Sequence, residues 1–277
     1  ALFAALLGAE SLEIWTDVHG LFTTDPRQIP RARLIRRTSY REAQELAAMG
    51  AKVLHPRCLG PAAWAGIPVE IRNTLDPDVR GTVIAQAADS GPAVMAVVKR
   101  GNVTLLTIST LEMWGTSGFL ARVFAPFEAL GISVDLVATS QSAVTVTMDR
   151  IPDGIDGEPF HQLLEELAKL GTVSVVHGTA VVSIVGRRIR TVLHKLGASL
   201  SVFRERQVHL VSESSEDLNL SFVVDESDAA KLVAELHDQL LPPQGADALF
   251  GPSWELLTTP HRAAIEEPGL PLRWWRS

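Results

Sequence analysis

The chain has 277 residues, 46% of them hydrophobic and 21% charged, a composition typical of a folded protein with two or more domains. A formal net charge of -7 and the absence of a basic stripe interleaved with aromatic residues argue against a nucleic-acid partner. The single cysteine, Cys58, cannot form an internal disulfide, and no apolar run reaches the length of a membrane span. We therefore predict a cytoplasmic protein with no membrane partner. Because the eight histidines lack the spacing of metal ligands, we predict no metal site.

Helix and strand patterns alternate over residues 1–87. Residues 2–7 are apolar but lack the basic segment of a signal peptide, so they predict a helix, truncated at its start, that belongs to a core. Short strands are predicted over residues 12–15 and 67–72. This alternation predicts an α/β layer.

A helix between these two strands has clear start and stop signals. Ser39 and Glu42 have the spacing of a capping box, in which each side chain binds the backbone amide of the other residue. Gly50 follows the last apolar position and can take a backbone conformation that ends a helix. We therefore predict a helix from Ser39 to Gly50.

The pattern changes after a linker of small residues at 87–92, where the order strand, helix, strand, strand occurs twice. The two copies are about 75 positions apart and predict an internal repeat. Each copy is followed by an amphipathic helix, so each unit reads as an α+β βαββα unit with one more strand. The predicted segments are strands 103–108, 132–137, 143–148, 181–185, 208–211 and 218–224, and helices 118–130, 189–203, 160–167 and 228–240.

The segment TDVHGLFTTDPR at residues 16–27 carries the first group of chemically informative residues. A strand that ends in Thr16-Asp17 places a carboxylate at the carboxyl end of a sheet, where open α/β folds bind ligands. Arg27 adds a guanidinium, whose planar fork suits phosphate. From the residues alone, a solvated loop with a capping aspartate is the simpler interpretation.

This segment and GAKVLHPR at residues 50–57 closely resemble the aspartokinase family. The resemblance implies the C-terminal part of an amino-acid-kinase fold over residues 1–87, phosphoryl transfer from ATP (as Mg-ATP) to the aspartate side chain, and a set of nucleotide contacts. Phe22 stands where the family often has Tyr, so only stacking or packing is expected of it. The implied nucleotide-binding residues are Thr16, Asp17, Phe22, Arg27, Lys52 and Val53.

The resemblance places the family's catalytic motifs before Ala1, so no catalytic residue is expected in this chain. We read the chain as part of a larger enzyme and expect negligible activity from it alone.

A second group of residues predicts a pocket for an amino acid. The loop MWGTSGFL at residues 113–120 precedes a helix, whose amides can hold a carboxylate. Asp135 lies between apolar neighbours, where it needs a cation such as an ammonium group. A helix cap and an Asp already paired within the protein is the competing interpretation. The candidate effector residues are Met113, Thr116, Gly118, Phe119, Leu120, Ser133, Val134, Asp135, Thr139, Ser140 and Gln141.

The doubled unit resembles a tandem of ACT domains, ligand-sensing modules with a ferredoxin-like βαββαβ fold, here assigned to residues 93–172 and 173–241. The effector loop and the SVDL strand at residues 133–136 resemble those of lysine-sensitive aspartokinases, which implies lysine as effector, with threonine as the alternative. The second unit lacks the loop, so we expect it to be structural and to help form a homodimer.

Residues 242–277 are rich in proline and predict a linker or docking tail. Their FGPSW segment faintly resembles the junction of aspartokinases fused to diaminopimelate decarboxylase. Two other interpretations stay open: a stand-alone amino-acid sensor without catalysis, and a different amino-acid kinase, whose relatives lack this ACT tandem.

Overall fold

The computed structural model of the protein describes residues 1–51, 53–55, 58–86, 91–192, 200–214, 216–241 and 248–259. Its first part, the N-terminal lobe (residues 1–86), is a mixed four-stranded sheet with helices, in the strand order β1-β4-β5-β3. Its elements are α1 (Leu2–Leu7), β1 (Leu12–Thr16), β2 (Arg33–Ile35), β3 (Arg37–Ser39), α2 (Tyr40–Met49), α3 (Leu59–Ala65), β4 (Val69–Asn73) and β5 (Thr82–Ala85).

The predicted α/β layer is confirmed in this lobe. Strand β1 runs parallel to β4, β4 is antiparallel to β5, and β5 is parallel to β3. Helix α2 begins with the predicted capping box, in which Ser39 Oγ accepts from the Glu42 amide and Glu42 accepts from the Ser39 amide at 2.7 Å. Helix α1 also forms, but it is not a core helix in the described structure, because none of its residues is buried.

The second part is a six-stranded sheet in the order β10-β11-β9-β6-β8-β7, with every neighbouring pair antiparallel. Its strands are β6 (Val94–Ser109), β7 (Val137–Thr139), β8 (Ala143–Met148), β9 (Thr172–Gly186), β10 (Val208–Glu213) and β11 (Asn219–Asp225). Its helices are α4 (Phe119–Ala129), α5 (Glu158–Ala168) and α6 (Glu226–Leu240), with short 3-10 turns at Ile189–Val192 and Leu200–Phe203.

Two long strands join the halves of this sheet. The first half of β6 pairs with the second half of β9 (94–100 with 181–186), and the second half of β6 pairs with the first half of β9 (103–109 with 172–179). Each half therefore has four strands with the same spatial order. In one half the order is β9-β6-β8-β7, and in the other it is β6-β9-β11-β10. The predicted boundary between residues 172 and 173 lies inside β9.

The two strands bend where they pass from one half to the other. Asn102 and Gly178 both have positive φ, 57° and 67°, and the strand register shifts between Arg100 and Val103. The backbone amide of Asn102 donates to Glu226 at the start of α6, which holds the bend against the helix.

Each half of the sheet has its own core. Helices α4 and α5 cover one half, through buried residues such as Val123, Phe127 and Leu163. Helix α6 covers the other half, where Leu232 and Leu236 are fully buried. On the opposite face of that second half lies α2 of the N-terminal lobe, whose Leu46 shares a core with Met95, Val98 and Val185. The half under α6 is thus packed between two helices that come from different parts of the chain.

The segment after residue 241 docks on the N-terminal lobe. Residues Phe250–Ser253 form β12, which pairs with β2, and α7 (Trp254–Thr258) follows it. Phe250 and Leu257 are buried at 5% exposure each. Of the two roles expected for this segment, linker or docking tail, the described residues 248–259 take the second.

Candidate functional site

The carboxyl ends of β1 and β4 lie side by side at one edge of the N-terminal sheet. These parallel strands end at Thr16 and Asn73. The next residue, Thr74, donates its amide and its hydroxyl to the Thr16 carbonyl, both at 2.9 Å. Because the two strand ends are tied together, the side chains that follow them have fixed starting points.

Asp17 and Arg27 form an open pair at this edge. The Arg27 Nη2 to Asp17 Oδ2 distance is 3.9 Å, and both side chains are 73% exposed. Such a loose surface pair contributes little to stability, so both charges are available to a ligand at small cost. The Arg27 amide donates to Asp25 Oδ1 at 3.0 Å, which gives the preceding turn a defined shape.

Gly20 lies between these residues at a point of close backbone approach. A Cβ atom there would lie 2.3 Å from Thr82 Oγ1 and 2.9 Å from the Thr82 amide nitrogen. Thr82 Oγ1 itself accepts from the Leu21 amide and donates to the Ile35 carbonyl. A larger residue at position 20 would break this packing of the loop against β5.

A buried polar cluster around His19, close in sequence to Asp17, was not predicted from the sequence. His19 is 5% exposed, and its Nε2 lies 3.0 Å from Asp76 Oδ2 and 3.3 Å from Asn73 Nδ2. Its ring also meets Trp254 edge-on, at 5.9 Å between centroids. The partners of His19 lie 54 or more positions away from it in the sequence, so only the fold brings them to it.

Of the other expected nucleotide-binding residues, Phe22 and Val53 pack against the lobe, and Lys52 falls outside the described residues. Phe22 is only 6% exposed, and its ring packs edge-on against Trp254 at 5.5 Å, so the packing role is taken up inside the protein. Val53 is half-buried against the core of the lobe. Lys52 lies outside the residues that the structure describes.

The effector loop is exposed and already folded on itself. Thr116 donates its hydroxyl to the Glu112 carbonyl, so that hydroxyl is engaged within the loop. Gly118 has φ 75° and precedes α4, whose N-terminus has no side-chain cap. The first amides of α4 therefore have no side-chain acceptor from the N-cap residue and can bind another acceptor. Phe119 is buried, and Leu120 is 42% exposed.

Asp135 has a cation partner within the chain. Arg100 Nη2 lies 3.4 Å from Asp135 Oδ2, and Arg100 Nη1 lies 3.4 Å from Asp149 Oδ2. Burial raises the pKa of the Asp135 carboxyl, Arg100 opposes this, and the charge of Asp149 adds to it. Asp135 Oδ2 is buried and makes no hydrogen bond. Two carboxylates thus share one guanidinium, which leaves a net negative site.

Asp135 does not lie on a strand, contrary to the prediction for residues 132–137. The sheet pairing starts later, at β7, although the Asp135 amide donates to the Thr147 carbonyl. The Leu136 amide donates to Thr147 Oγ1, so this side chain displaces a regular ladder bond. The remaining candidates line the sheet edge or the adjoining turn, with Ser133, Thr139, Ser140 and Gln141 exposed and Val134 half-buried.

The structure brings part of the predicted effector set together. Met113, Phe119 and Val134 contact one hydrophobic cluster under α4. The loop and the segment that carries Asp135 therefore border the same core. Within the described residues, no group of three or more His, Cys, Asp or Glu side chains could hold a metal ion, and no helix is long and apolar enough to cross a membrane.

A family match indicates the class of protein to which the N-terminal lobe is similar. Residues 1–73 match the amino acid kinase family, in agreement with the mixed α/β lobe and the site at its carboxyl edge.

Relatives that align over most of this chain are aspartokinases. Aspartokinase 2, chloroplastic, of Arabidopsis thaliana is 37% identical over 243 residues, which are 83% of this chain and 44% of the relative. The structure of Escherichia coli aspartokinase III in complex with aspartate and ADP superposes with a TM-score of 0.77 at 36% identity, covering 86% of this chain and 54% of that one. The same enzyme in complex with lysine and aspartate gives a TM-score of 0.74 at 35% identity, again covering 86% and 54%.

The chain spans about half the length of the curated relatives it matches. Together with the family match, these relatives support the aspartokinase family for the chain.

Proposed function

We propose that this chain is the nucleotide-binding and feedback-regulatory portion of an aspartate kinase, which transfers the γ-phosphate of ATP to the β-carboxylate of aspartate. The observation that carries the proposal is the exposed Asp17–Arg27 pair at the carboxyl edge of a lobe that resembles an enzyme solved with ADP and aspartate. Exposed charges at this edge of an α/β sheet suit a nucleotide phosphate and its sugar.

In this proposal the nucleotide lies against Thr16, Asp17 and Arg27, with Lys52 and Val53 at its border. Arg27 supplies positive charge near the phosphates, and phosphoryl transfer depends mainly on such positioning and charge. Phe22 supports the loop from inside and does not touch the nucleotide. The catalytic groups are expected in the part of the enzyme that precedes this segment, so the chain alone binds Mg-ATP without turnover.

We further propose that the six-stranded sheet comprises two ACT domains. Residues 103–179 form one of them, and residues 180–241 form the other together with the first half of β6. The repeated four-stranded order and the position of α4, α5 and α6 on the sheet support this division. It assigns β6 and β9 to both domains, in place of a boundary near residue 172.

Lysine is the proposed effector, with threonine as the alternative. A lysine carboxylate would accept from the first amides of α4, and its side-chain ammonium would enter the net negative site at Asp135 and Asp149. Arg100 is the cation that this ammonium must compete with. The support from relatives is the lysine complex of the Escherichia coli enzyme.

A homodimer formed through the sheet edges completes the proposal. Strand β7 is an edge strand, and Val137 is 42% exposed on it. At the other edge, Val211 of β10 is 53% exposed. The two edge strands also contact each other within the chain, and their exposed apolar side chains can pair with a second copy.

The nucleotide role is tested by titrating Mg-ADP into the 277-residue chain. We expect Arg27→Ala to lose about 1.5 to 3 kcal/mol of binding, because a charge-assisted phosphate contact is removed. Arg150→Ala is the matched control, since Arg150 is exposed and lies beyond the end of β8. If the unaltered chain does not bind Mg-ADP, the stand-alone amino-acid sensor becomes the better explanation.

The catalytic part of the proposal needs a second assay. We expect aspartyl phosphate to form with the complete enzyme and to be negligible with this chain. A rate with the chain alone near that of the complete enzyme would contradict the assignment of the catalytic groups.

A further inference from the structure

The loop that presents Arg27 is held at its start by Thr23. Thr23 is 1% exposed and is bound on three sides. Its amide donates to the Arg33 carbonyl, and its carbonyl accepts from the Val97 amide of β6, each at 2.9 Å. Its hydroxyl oxygen accepts from the Arg33 amide at 2.9 Å and lies 2.9 Å from His237 Nε2. The loop is thus tied to both the N-terminal lobe and the six-stranded sheet.

His237, a residue in the last turn of α6, shares a hydrogen bond with the Thr23 hydroxyl. Since Thr23 Oγ1 already accepts from Arg33, its own proton is free to be donated to His237 Nε2. In that arrangement the imidazole proton lies on Nδ1, which is buried without a hydrogen-bond partner and lies 3.8 Å from Asp238 Oδ1. His237 is 6% exposed, and burial lowers the pKa of its imidazole, which favours this neutral form.

The next residue of α6 holds the far end of the same loop. Asp238 Oδ2 accepts from Arg31 Nη2 at 2.6 Å. Between the two ties, Ile29 is 7% exposed and lies in the core formed by α6 and the sheet beneath it. The last turn of α6 therefore binds residues 23–31 at both ends, through Thr23 and Arg31, and the buried Ile29 side chain packs in between.

We infer that His237 is a positioning residue for nucleotide binding, which acts by holding Thr23 and hence the loop that carries Arg27. This inference rests on the nucleotide role proposed above for Asp17 and Arg27. Because α6 also packs on the six-stranded sheet, the same hydrogen bond connects that sheet directly to the loop that carries Arg27. A shift of α6 by a fraction of an ångström would lengthen the Thr23 hydrogen bond.

Titration of Mg-ADP into the 277-residue chain tests this role. We expect His237→Ala to weaken binding about fivefold, the change that about 1 kcal/mol of lost hydrogen bonding produces. His237→Gln, whose amide oxygen can accept from Thr23, should bind nearly as tightly as the unaltered chain. Thr23→Val should resemble His237→Ala, and the double variant should be no weaker than the weaker single one.

His161→Ala is the control, because His161 is exposed on α5 and far from this loop in the sequence. Unchanged binding in His237→Ala, or equal losses in the Gln and Ala variants, would overturn the inference while the nucleotide role stands. Absence of binding by the unaltered chain would overturn the nucleotide role, and the inference with it.

Hydrogen exchange without nucleotide separates these outcomes further. We expect the amides of residues 24–30 to exchange faster in His237→Ala than in the unaltered chain, while those of α4 and β8 stay the same. Equal exchange over residues 24–30 would show that His237 does not position the loop, whatever the titration gives.

Discussion

Asp135 lies in a small network in which its charge is incompletely balanced. Arg100 is shared with Asp149, and one Asp135 oxygen makes no hydrogen bond. A buried carboxylate in this state gains more from an added cation than an exposed one would. The competing interpretation from sequence, an Asp paired within the protein, describes the Arg100 contact, and the proposed lysine site adds a second cation to it.

Lysine should therefore stabilise the chain through Asp135. We expect an increment of about 2.7 kcal/mol at a hundredfold excess over the dissociation constant, measured as a rise in melting temperature. Asp135→Asn should remove most of this increment, whereas Asp156→Asn, at an exposed site, should not. A lysine effect that survives Asp135→Asn would exclude the proposed pocket, and a response to threonine alone would favour the alternative effector.

The buried imidazole of His237 should make the stability of the fold depend on pH, independently of any ligand. Burial lowers the pKa of its imidazole, the Asp238 carboxylate raises it, and the Arg31 guanidinium lowers it. A histidine with a lowered pKa binds fewer protons folded than unfolded, so its neutral form stabilises the fold above the ordinary pKa of about 6.5. This stability is lost as the pH falls through that value towards the folded pKa.

We expect urea unfolding to show a free energy of unfolding that decreases from pH 7 to pH 5, with a smaller decrease in His237→Gln. The His161→Ala variant should follow the unaltered chain. Parallel pH profiles for the His237→Gln variant and the unaltered chain would show that His237 is not the titrating group.

At the scale of elements, α2 joins the two parts of the molecule. Its capping residue Glu42 is 1% exposed, accepts from Thr38 Oγ1 at 3.1 Å and also pairs with Arg187, which follows β9. Hydrogen bonds from Arg187 and Ser39 lower the pKa of the Glu42 carboxyl, against the effect of burial. One side chain therefore starts a helix and connects the N-terminal lobe to the sheet.

Glu42→Ala should destabilise the chain by about 3 to 5 kcal/mol, because it breaks a buried ion pair as well as the cap. Ser39→Ala removes only the cap and should cost about 1 kcal/mol. Denaturant unfolding of both variants measures the difference. Equal losses in the two variants would mean that the Arg187 pair contributes nothing.

How far an element could be predicted depended on how local its signals are. The β1 strand, the α2 capping box, α4 and β8 are confirmed, since their signals lie within a few residues of one another. Strands β2 and β3 have three residues each, too few for a period to show. The bonds that Thr147 makes to residues 135 and 136 delay β7, and the predicted helix 189–203 is described only as 3-10 turns at its two ends.

The candidate sites divide in the same way. The exposed Asp17 and Arg27, and the loop before α4, could be found from motifs in the sequence. Three pairs could not be found in this way: His19 with Asp76, Arg100 with Asp135, and Thr23 with His237. Each pair joins residues 35 or more positions apart, so no local pattern in the sequence marks it.

At the scale of the whole molecule, the chain closes on itself through its C-terminal segment. Strand β12 pairs with β2, and the Trp254 amide donates to the Ala32 carbonyl at 2.8 Å. Leu257 shares a core with Phe22 and Leu34. The loop that carries Arg27 is thus covered by residues more than 200 positions later.

Ending the chain at Leu241 should destabilise it by at least about 3 kcal/mol, since the buried Phe250 and Leu257 side chains are each worth about 1.5 to 3 kcal/mol. A chain ending at Thr259 keeps all these contacts and serves as the control. Thermal unfolding of the two truncated chains against the 277-residue chain measures the effect. If both unfold at the same temperature, the docked segment contributes nothing to stability.

The bend in β6 and β9 also has a consequence for how residues 103–179 could be exchanged for another module. Val103 and Thr179 are register partners, and Thr179 donates its hydroxyl to the Val103 carbonyl at 2.7 Å. The entry and exit of residues 103–179 therefore lie one strand spacing apart, about 5 Å. A segment with adjacent ends can be cut out and replaced as a cassette without stretching the remaining chain, so a module with another specificity could be grafted between Asn102 and Ala180 while α6 and its grip on the loop stay in place.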